Sequence, residues 1–454
     1  MARRCGFKPR SKFFVIMRGL STNPRRWRSL RLSAHPRVEE HCMYSRFGAG
    51  FAAKSGTRQL MDDLGEVARG GAGLINLGGG NPASIPALEA RFEAAWSAVP
   101  TVDWLRLLGG YDAPQGHQPF LEALAQTLRE GLGWPLSARN FLVTGGSQAS
   151  FFLLFNLFGG TTATGQRKQI LLPQAPEYIG YAQSGIEPAM LVSHPALIER
   201  VSPHRFKYRP DFAAITVDER FGALCVSRPC NPTGNVLSDD EIARLRALTR
   251  LAGVPLIVDC AYGEPFPGIS FVPTSLVWDE DLVLCLSLSK LGLPGVRTGL
   301  VVASEPVIEV LTSLHAMLAL SVNPVGSRLA LELMRSNDLL ALGREIIAPH
   351  YAAHSATALA LCDELLAGTD YLIHLSQGAI FLWLWFPSLP VSVQVLYEAL
   401  KGRGVLVIPG HHFGPGLAAP WPHLAQCLRI SYAQPAATLR AGLTVLAQTL
   451  RDLG

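Results

Sequence analysis

Six short apolar runs between residues 141 and 302 constrain the fold of this chain more than any other feature. The runs cover residues 141–143, 169–172, 223–226, 255–258, 282–286 and 299–302, and helical patterns separate them. Each run is nearly continuous in apolar residues and partly β-branched, which is typical of strands in a parallel sheet covered by helices on both faces. The pattern therefore predicts an α/β fold.

One of the intervening helices has a clear start signal. Ser238 and Glu241 form a capping-box pattern, in which a serine side chain and a glutamate three residues later satisfy each other's backbone N–H groups. We expect a helix from there to about Leu251. It separates two strand candidates, as a βαβ unit requires.

The chain changes character from about Ser336. A long helical pattern over residues 339–366 precedes short strand patterns near residues 371–374, 379–386 and 428–432. Helical patterns near residues 393–403 and 437–453 lie among and after these strands. This alternation predicts a smaller α+β unit at the C-terminus.

The basic charge of the chain belongs to its first 42 residues. They contain nine Arg, two Lys and two Glu, whereas the whole chain of 454 residues has a net charge of +5. The remainder is therefore slightly acidic, which argues against a nucleic-acid-binding surface. We expect residues 1–42 to be a disordered extension and Met43 to be the natural start. An organelle transit peptide is the alternative, because the segment is rich in arginine and poor in acidic residues.

Neither the apolar stretches nor the cysteines indicate export or metal binding. The longest apolar stretches fall far short of the roughly 20 residues that cross a bilayer. The eight cysteines form no C-x-x-C pair and no cluster with histidine, so they predict reduced thiols. His411, His412 and His423 have no acidic partner nearby in sequence, so we do not predict a metal site. We expect a cytoplasmic protein without a membrane anchor.

A lysine near the end of a predicted strand indicates the chemistry. Lys290 ends the run Ser287-Leu-Ser-Lys and lies 31 residues after Asp259 and 59 after Asn231. An aldehyde cofactor needs a lysine amine for a Schiff base, an acid at its pyridine nitrogen, and cationic and hydroxyl groups for its phosphate. The combination predicts pyridoxal 5'-phosphate.

Several longer phrases of the sequence resemble those of a known protein family. From about Met43 onward, the chain resembles the fold-type I aminotransferases, and within them the subgroup that exchanges an amino group between L-valine and pyruvate. The phrases are Leu77-Gly-Gly-Gly-Asn-Pro82, Ala175-Pro-Glu-Tyr-Ile-Gly-Tyr181, Ser227-Arg-Pro-Cys-Asn-Pro-Thr-Gly234, Ala379-Ile-Phe-Leu-Trp-Leu-Trp-Phe386 and Pro409-Gly-His-His412.

The resemblance implies an architecture. It predicts a large cofactor-binding domain over residues 96–335, with a mostly parallel seven-stranded sheet between helices. Residues 43–95 and 336–454 would together form a smaller, discontinuous α+β domain. It also implies a homodimer whose active sites are shared between two chains.

The resemblance further assigns cofactor contacts. Lys290 would form the Schiff base and carry the proton, and Asp259 would bind the pyridine nitrogen. Tyr178 would stack on the ring and support catalysis, while Asn231 and Tyr262 would contact the ring oxygen. The remaining predicted contacts are to the phosphate, with Tyr111 reaching it from the partner chain: Tyr111, Gly145, Gly146, Ser147, Gln148, Ser287, Ser289 and Arg297. Arg297 follows Lys290 by seven residues, whereas many family members have eight.

Each of these residues also has a simpler interpretation. Asp259 could cap a helix after its strand, and Tyr178 could be a core tyrosine with a satisfied hydroxyl. Lys290 could be a surface lysine. A glycine-rich turn before a helix, such as Gly145–Gln148, is by itself weak evidence for a phosphate site.

The substrate carboxylate needs a planar cation. Arg429 matches the family arginine that binds it with two parallel hydrogen bonds, unless it is a solvated surface residue. Asn231 and the backbone at Gly79 or Gly80 would assist. The resemblance thus implies a ping-pong transaminase for amino acids and 2-oxo acids that converts L-valine and pyruvate to 3-methyl-2-oxobutanoate and L-alanine.

Other activities remain open from the sequence. An alanine or broad branched-chain and aromatic aminotransferase is the nearest alternative, and a carbon–sulfur lyase or an aminotransferase-like regulator are more distant ones. The sequence pattern does not identify which residues surround the substrate side chain. Ile85, Tyr111, Tyr178 and the loop His411-His-Phe413 are candidates for its apolar wall.

Overall fold

The computed structural model describes residues 44–51, 58, 62, 65, 74–336 and 339–453. Nearly all of these belong to one compact unit that begins at Arg46. The predicted extension over residues 1–42 and its alternative interpretations lie outside the described residues. The predicted domain boundaries at residues 95 and 335 stay a prediction.

The main sheet contains eight strands in the order β2-β11-β10-β9-β8-β4-β3, with β5 also paired to β4. Its strands are β2 (Phe141–Thr144), β3 (Gly160–Thr161), β4 (Arg167–Ala175), β5 (Leu191–Pro195), β8 (Phe221–Ser227), β9 (Leu256–Asp259), β10 (Leu282–Ser287) and β11 (Gly299–Val302). Every residue of β2, β9, β10 and β11 is buried. The six apolar runs all form strands here, which confirms the α/β fold.

The sheet is mostly parallel, as predicted, with two exceptions. β11 pairs antiparallel with β10 and β2, and the two-residue β3 pairs antiparallel with β4. The connection from β10 to β11 contains only a 3₁₀ turn at Pro294–Val296, too short to cross over to a parallel neighbour. β3 is the one strand beyond the seven expected.

Twelve α-helices surround the sheets in the described part of the chain. They are α1 (Arg46–Ala49), α2 (Pro86–Ser97), α3 (Thr101–Leu108), α4 (Gln118–Leu132), α5 (Ser147–Phe158), α6 (Asp239–Ala252), α7 (Glu305–Ala319), α8 (Val325–Arg335), α9 (Leu339–Leu342), α10 (Ala348–Leu365), α11 (Val393–Gly402) and α12 (Ala436–Leu453). A π-helical turn, Gly343–Ile347, joins α9 to α10. Both bonds of the Ser238–Glu241 capping box are present, and α6 ends at Gly253 in a left-handed conformation.

A second sheet of six strands has the order β15-β16-β13-β12-β7-β6. It comprises β6 (Leu197–Ser202), β7 (Arg205–Arg209), β12 (Leu372–His374), β13 (Phe381–Trp385), β15 (Ile408–Pro409) and β16 (Cys427–Ser431). β6 and β7 come from the middle of the chain and were not predicted. Their mixed burial lacks the continuous apolar run that marked the other strands.

The N-terminal strand joins the C-terminal part of the chain. β1 (Ile75–Asn76) pairs parallel with β14 (Val405–Leu406). A Cβ on Gly442 of α12 would approach Leu77 to 2.6 Å, so these segments pack closely. This contact brings the glycine-rich segment after Leu77 beside the C-terminal strands.

The interior is apolar, and the described cysteines lie within it. Cys225, Cys230, Cys260, Cys285, Cys362 and Cys427 are all buried free thiols. No helix in the described ranges is both long and apolar enough to cross a membrane.

Candidate active site

A cleft of about 670 Å³ lies at the carboxyl ends of the parallel strands. Open α/β sheets place ligands at this edge, because the strands there end in loops that carry polar groups. Predicted site residues that line the cleft are Gly79, Gly80, Ser147, Gln148, Tyr178, Asn231, Asp259, Tyr262, Ser287, Ser289, Lys290, Arg297 and Arg429. The structure therefore brings together residues from segments up to 350 positions apart.

Lys290 projects into the cleft just after β10. Its Nζ donates a hydrogen bond to the backbone oxygen of Gly80 and lies 5.5 Å from the centre of the Tyr262 ring. Burial, with smaller contributions from the guanidinium groups of Arg429 and Arg297, lowers the pKa of the ammonium to about 8. No carboxylate in the described ranges forms an ion pair with this amine. Its pKa therefore allows it to hold or release a proton near neutral pH.

Asp259 ends β9 and is buried at the base of the cleft. Tyr181 Oη donates to its Oδ2 at 2.7 Å, and the N–H of Ala261 donates to its Oδ1 at 2.9 Å. Burial raises the pKa of this carboxyl to about 6, although both hydrogen bonds act in the opposite direction. The Ala261 contact resembles the predicted cap. However, the carboxylate also lines the cleft, so a capping role alone does not explain its position.

The glycine-rich turn forms the start of α5. Gly146 precedes the first helical residue, Ser147, so backbone N–H groups are free to bind an anion there. A Cβ on Gly146, whose φ is +105°, would lie 2.3 Å from Arg297 Nη2, so only glycine allows the guanidinium this close. The Gln148 side chain does not point to this end, because its amide donates to Gly180 O at 2.8 Å.

Three further polar side chains approach the same end of the cleft. Arg297 adopts a left-handed conformation with φ of 49°, and its only described hydrogen bonds are long contacts to Ser289 Oγ, Pro294 O and Gly145 O, at 3.4 to 3.5 Å. Ser287 Oγ accepts a bond from the N–H of Ser289 at 3.1 Å. Strained backbone is commonly found at functional sites. The arrangement suits a doubly charged group such as a phosphate.

Arg429 lies in β16, lines the cleft and is only 4% exposed. Nη1 donates to Asn231 Oδ1 and Nη2 to Gly78 O, both at 2.7 Å. Its guanidinium carbon lies 4.1 Å from the centre of the Phe381 ring. Nε has no partner among the described residues, and burial lowers the pKa to about 10. A buried cation without an anion indicates a binding site for a carboxylate, and it excludes a solvated arginine.

Two aromatic residues line the cleft beside these groups. Tyr178 is partly exposed, and Gly180 permits its close packing, because a Cβ there would meet the phenol ring at 2.3 Å. Tyr262 is buried, and its ring meets Phe381 edge to face at 5.8 Å between centroids. Tyr178 is therefore available for stacking against a planar ligand.

Several predicted residues lie elsewhere. Tyr111 is 86% exposed and outside the cleft of its own chain, and Ile85 is buried in the core beside α2. His411 and His412 do not line the cleft. Phe413 is buried and lies 5.2 Å below the guanidinium of Arg429, so this loop supports the arginine from behind.

Sequence reasoning missed several polar residues that line the cleft or lie directly behind it. Asn76 lines it and accepts bonds from the N–H groups of Gly78 and Gly79. Ser227 lines it at the end of β8, paired in register with Asp259 on β9. Tyr181 binds Asp259 from below. Only Ser227 had a usable signal, since it ends an apolar run in the way that Asp259 does.

Comparison with known proteins gives consistent results. Residues 72–446 match the family described as aminotransferase class I and II. A valine–pyruvate aminotransferase of Escherichia coli is 44% identical over 408 residues, which are 90% of this chain and 98% of the relative. The crystal structure of valine–pyruvate aminotransferase from Salmonella typhimurium is similar, with a TM-score of 0.80 and 41% identity over 87% of this chain and 99% of the other. Aspartate aminotransferase of Thermus thermophilus shares the fold, with a TM-score of 0.70 and 22% identity over 89% and 99% of the two chains.

Proposed function

Because this chain belongs to the class I and II aminotransferases, which use pyridoxal 5'-phosphate, we propose that it transfers the amino group of L-valine to pyruvate. The observation that carries this proposal is the pairing of Lys290 and Arg429 in one cleft. Both are cations without an anionic partner in the described structure. One can bond covalently to an aldehyde, and the other can bind a carboxylate.

The residues present fit the cofactor at each of its polar groups. Lys290 would hold it covalently, Asp259 would bind the ring nitrogen, and Tyr178 would cover one face. Asn231 and Tyr262 would bind the ring oxygen. The phosphate would lie at the start of α5, surrounded by the backbone of Gly146, Ser147 and Gln148 and the side chains of Ser287, Ser289 and Arg297. The guanidinium of Arg297, which makes only long hydrogen bonds and has no anionic partner among the described residues, and the N–H groups at the start of α5 support this assignment.

When bound, the cofactor ring would accept the electron pair that remains on substrate Cα after its proton is removed. Asp259, as a buried carboxylate, would keep a proton on the ring nitrogen and so maintain that capacity. Once the amino group of the substrate has displaced Lys290 from the cofactor, the freed Nζ would remove the proton from substrate Cα, because a pKa of about 8 leaves part of the amine neutral near pH 7 to 8. The same Nζ returns a proton in the second half of the cycle.

Arg429 orients the substrate for this proton transfer. Its Nη1 is held by Asn231 and its Nη2 by Gly78 O. The rings of Phe381 and Phe413 lie near the guanidinium and help to exclude water from it. A substrate carboxylate would bind its free edge and Asn231, while Gly80 would close the cleft beside Lys290. The α-carboxylate is common to valine and pyruvate, so one site serves both half-reactions.

Single-substrate half-reactions test the proposed function. Adding L-valine alone to the holoenzyme should change the visible absorption of the cofactor and release 3-methyl-2-oxobutanoate in an amount equal to the enzyme. Pyruvate added next should restore the absorption and yield L-alanine. A stronger response to another amino donor would favour the broad aminotransferase. Release of ammonia from a sulfur amino acid would favour the lyase.

Replacement of Arg429 with Lys should weaken both half-reactions together. Lysine keeps the charge but loses the two parallel hydrogen bonds, so kcat/KM should fall about ten- to thousandfold for each substrate, or roughly 1.4 to 4 kcal/mol. Steady-state kinetics with valine and pyruvate measure this. Arg440→Lys is the matched control, because Arg440 is half exposed in an ion pair with Glu364. A loss confined to valine would make Arg429 a side-chain selector.

We also propose that the protein is a homodimer. Large apolar side chains are exposed on α3 and after it, including Leu105 at 67% and Tyr111 at 86%, and at the end of α7, where Met317 is 88% exposed. His315 Nδ1 of α7 lies 2.9 Å from Pro114 O, so the two segments are neighbours. A second copy that covered this face would bring Tyr111 toward the partner's phosphate site.

Disruption of this face should give monomers. The double variant Leu105→Asp and Met317→Asp should halve the molar mass in solution and weaken cofactor retention, as measured by light scattering and cofactor absorbance. Leu251→Asp is the matched control, because Leu251 is 89% exposed on α6. A fully active wild-type monomer would contradict the dimer.

The free buried thiols are the form that a reducing compartment maintains, so we propose a cytoplasmic location.

A further inference from the structure

A second carboxyl group lies behind the cleft, and the reaction described above does not use it. Glu177 has 0% exposed surface. Its Oε1 accepts a bond from the N–H of Ser227 at 3.1 Å, and its Oε2 lies 2.5 Å from Ser227 Oγ. The thiol of Cys230 is 3.8 Å from Oε2. No lysine or arginine in the described part of the chain contacts this carboxyl.

Two hydroxyl groups connect Glu177 to Asp259. Ser227 Oγ lies 3.1 Å from Tyr181 Oη, and Tyr181 Oη lies 2.7 Å from Asp259 Oδ2. The line from Glu177 through Ser227 and Tyr181 to Asp259 is continuous and buried. Strand register supports it, because Ser227 and Asp259 are direct partners on β8 and β9.

We propose that Glu177 is a neutral carboxylic acid and a positioning residue for Asp259, and that it directs the hydroxyls of Ser227 and Tyr181 toward that carboxylate. This inference rests on the proposed role of Asp259 at the cofactor ring. In this arrangement the acid donates to Ser227, Ser227 to Tyr181, and Tyr181 to Asp259. Each hydroxyl donates one bond and accepts one, and Asp259 carries the only negative charge of the four groups.

Electrostatics favour this distribution of charge. Two ionised carboxylates in one buried network repel each other, and neither has a cation to offset the loss of water. The titratable groups that face Glu177 are Asp259, Tyr181, Cys225 and Cys230, none of which is cationic. Burial raises the pKa of Glu177 to about 8, above the value of about 6 for Asp259. A protonated cofactor ring beside Asp259 would stabilise its charge further.

An ionised Glu177 would leave the network less well bonded. The hydroxyl of Ser227 would then turn to Glu177 and could no longer donate to Tyr181. The neutral acid avoids this conflict, and a glutamine at the same position could donate in the same way through its amide. The substitution Glu177→Gln therefore distinguishes a neutral Glu177 from an ionised one.

Infrared difference spectroscopy tests the protonation state directly. At pH 7, wild-type holoenzyme should show the C=O band of a protonated carboxylic acid that shifts in D₂O and is missing from Glu177→Gln. Glu280→Gln, which alters an exposed carboxylate, should leave the band in place. If Glu177→Gln folds poorly, ¹³C labelling of glutamate should shift the same band in the wild type. Absence of a glutamate acid band would overturn the proposal.

The pH titration of the bound cofactor tests the link to Asp259. Its visible absorption reports protonation of the linkage to Lys290, which responds to charge near the ring. Glu177→Gln should leave the midpoint within a few tenths of a pH unit of the wild type, because a neutral group replaces a neutral group. If Glu177 were ionised, the same substitution would remove a negative charge near the ring and would lower the midpoint. That result would also overturn the proposal.

Tyr181→Phe provides the positive control, because it removes the donor to Asp259 itself. Asp259 should then draw the ring proton more strongly, and the midpoint should rise. Failure of the protein to bind the cofactor would contradict the proposed function. The infrared band of Glu177 would still be measurable in that case, so the two failures are distinguishable.

Discussion

Replacement of Lys290 with Ala should lower turnover at least about ten-thousandfold while the protein stays folded. A single amine would both link the cofactor and move the proton at substrate Cα, and the described residues that line the cleft include no other lysine for either task. The loss should appear in both half-reactions. Circular dichroism and size-exclusion chromatography would show that the fold is intact.

Two measurements assign this loss to Lys290. Borohydride reduction of wild-type holoenzyme should attach the cofactor to the peptide that contains Lys290, and mass spectrometry should find no such adduct in the variant. Lys168→Ala is the control, because Lys168 binds the backbone of Glu219 away from the cleft. Activity above a few per cent in Lys290→Ala, or an adduct on another lysine, would remove Lys290 from this role.

Replacement of Asp259 with Asn should leave the cofactor bound but slow the reaction by more than about a hundredfold. An amide cannot hold a proton on the ring nitrogen, and removal of such an electrostatic partner costs roughly 3 kcal/mol or more in the transition state. The amide oxygen could still accept from the Ala261 N–H, and the amide NH₂ could donate to Tyr181 Oη, so local structure should persist. Single-turnover rates with L-valine measure the effect.

The control for this prediction is Asp240→Asn, which changes an exposed carboxylate in the first turn of α6. Both variants should unfold at similar temperatures. A near-normal rate for Asp259→Asn would mean that Asp259 only caps the turn after β9.

The main sheet determines the positions of the two buried acids, Asp259 and Glu177. β8 and β9 end side by side, so Ser227 and Asp259 share the same edge, and the turn after β4 brings Glu177 and Tyr181 beneath them. A parallel sheet concentrates such groups at one edge. The reacting end of the cleft is therefore built on rigid strands, whereas the phosphate end is built on the start of α5 and the tight turn before Arg297.

The sequence by itself determined the fold class and the chemistry. Continuous apolar runs are a local signal of buried parallel strands, and the capping box of α6 is a local signal of a helix start, so both were predictable. Lys290, Asp259 and Arg429 each follow or lie within such a run. Their residue types are rare in those surroundings, and the resemblance to the fold-type I aminotransferases assigned their roles.

Tertiary structure alone decided which distant groups meet. β6 and β7 join the second sheet through pairing with β12, more than 160 residues away, and their own sequence has no apolar run to predict it. The folded structure alone shows that the described hydrogen-bond partners of Arg429 are neutral, namely the side chain of Asn231 and the backbone oxygen of Gly78. The connection from Glu177 to Asp259 passes through two hydroxyls from different segments. Contacts of this kind depend on strand register and packing, which no local periodicity encodes.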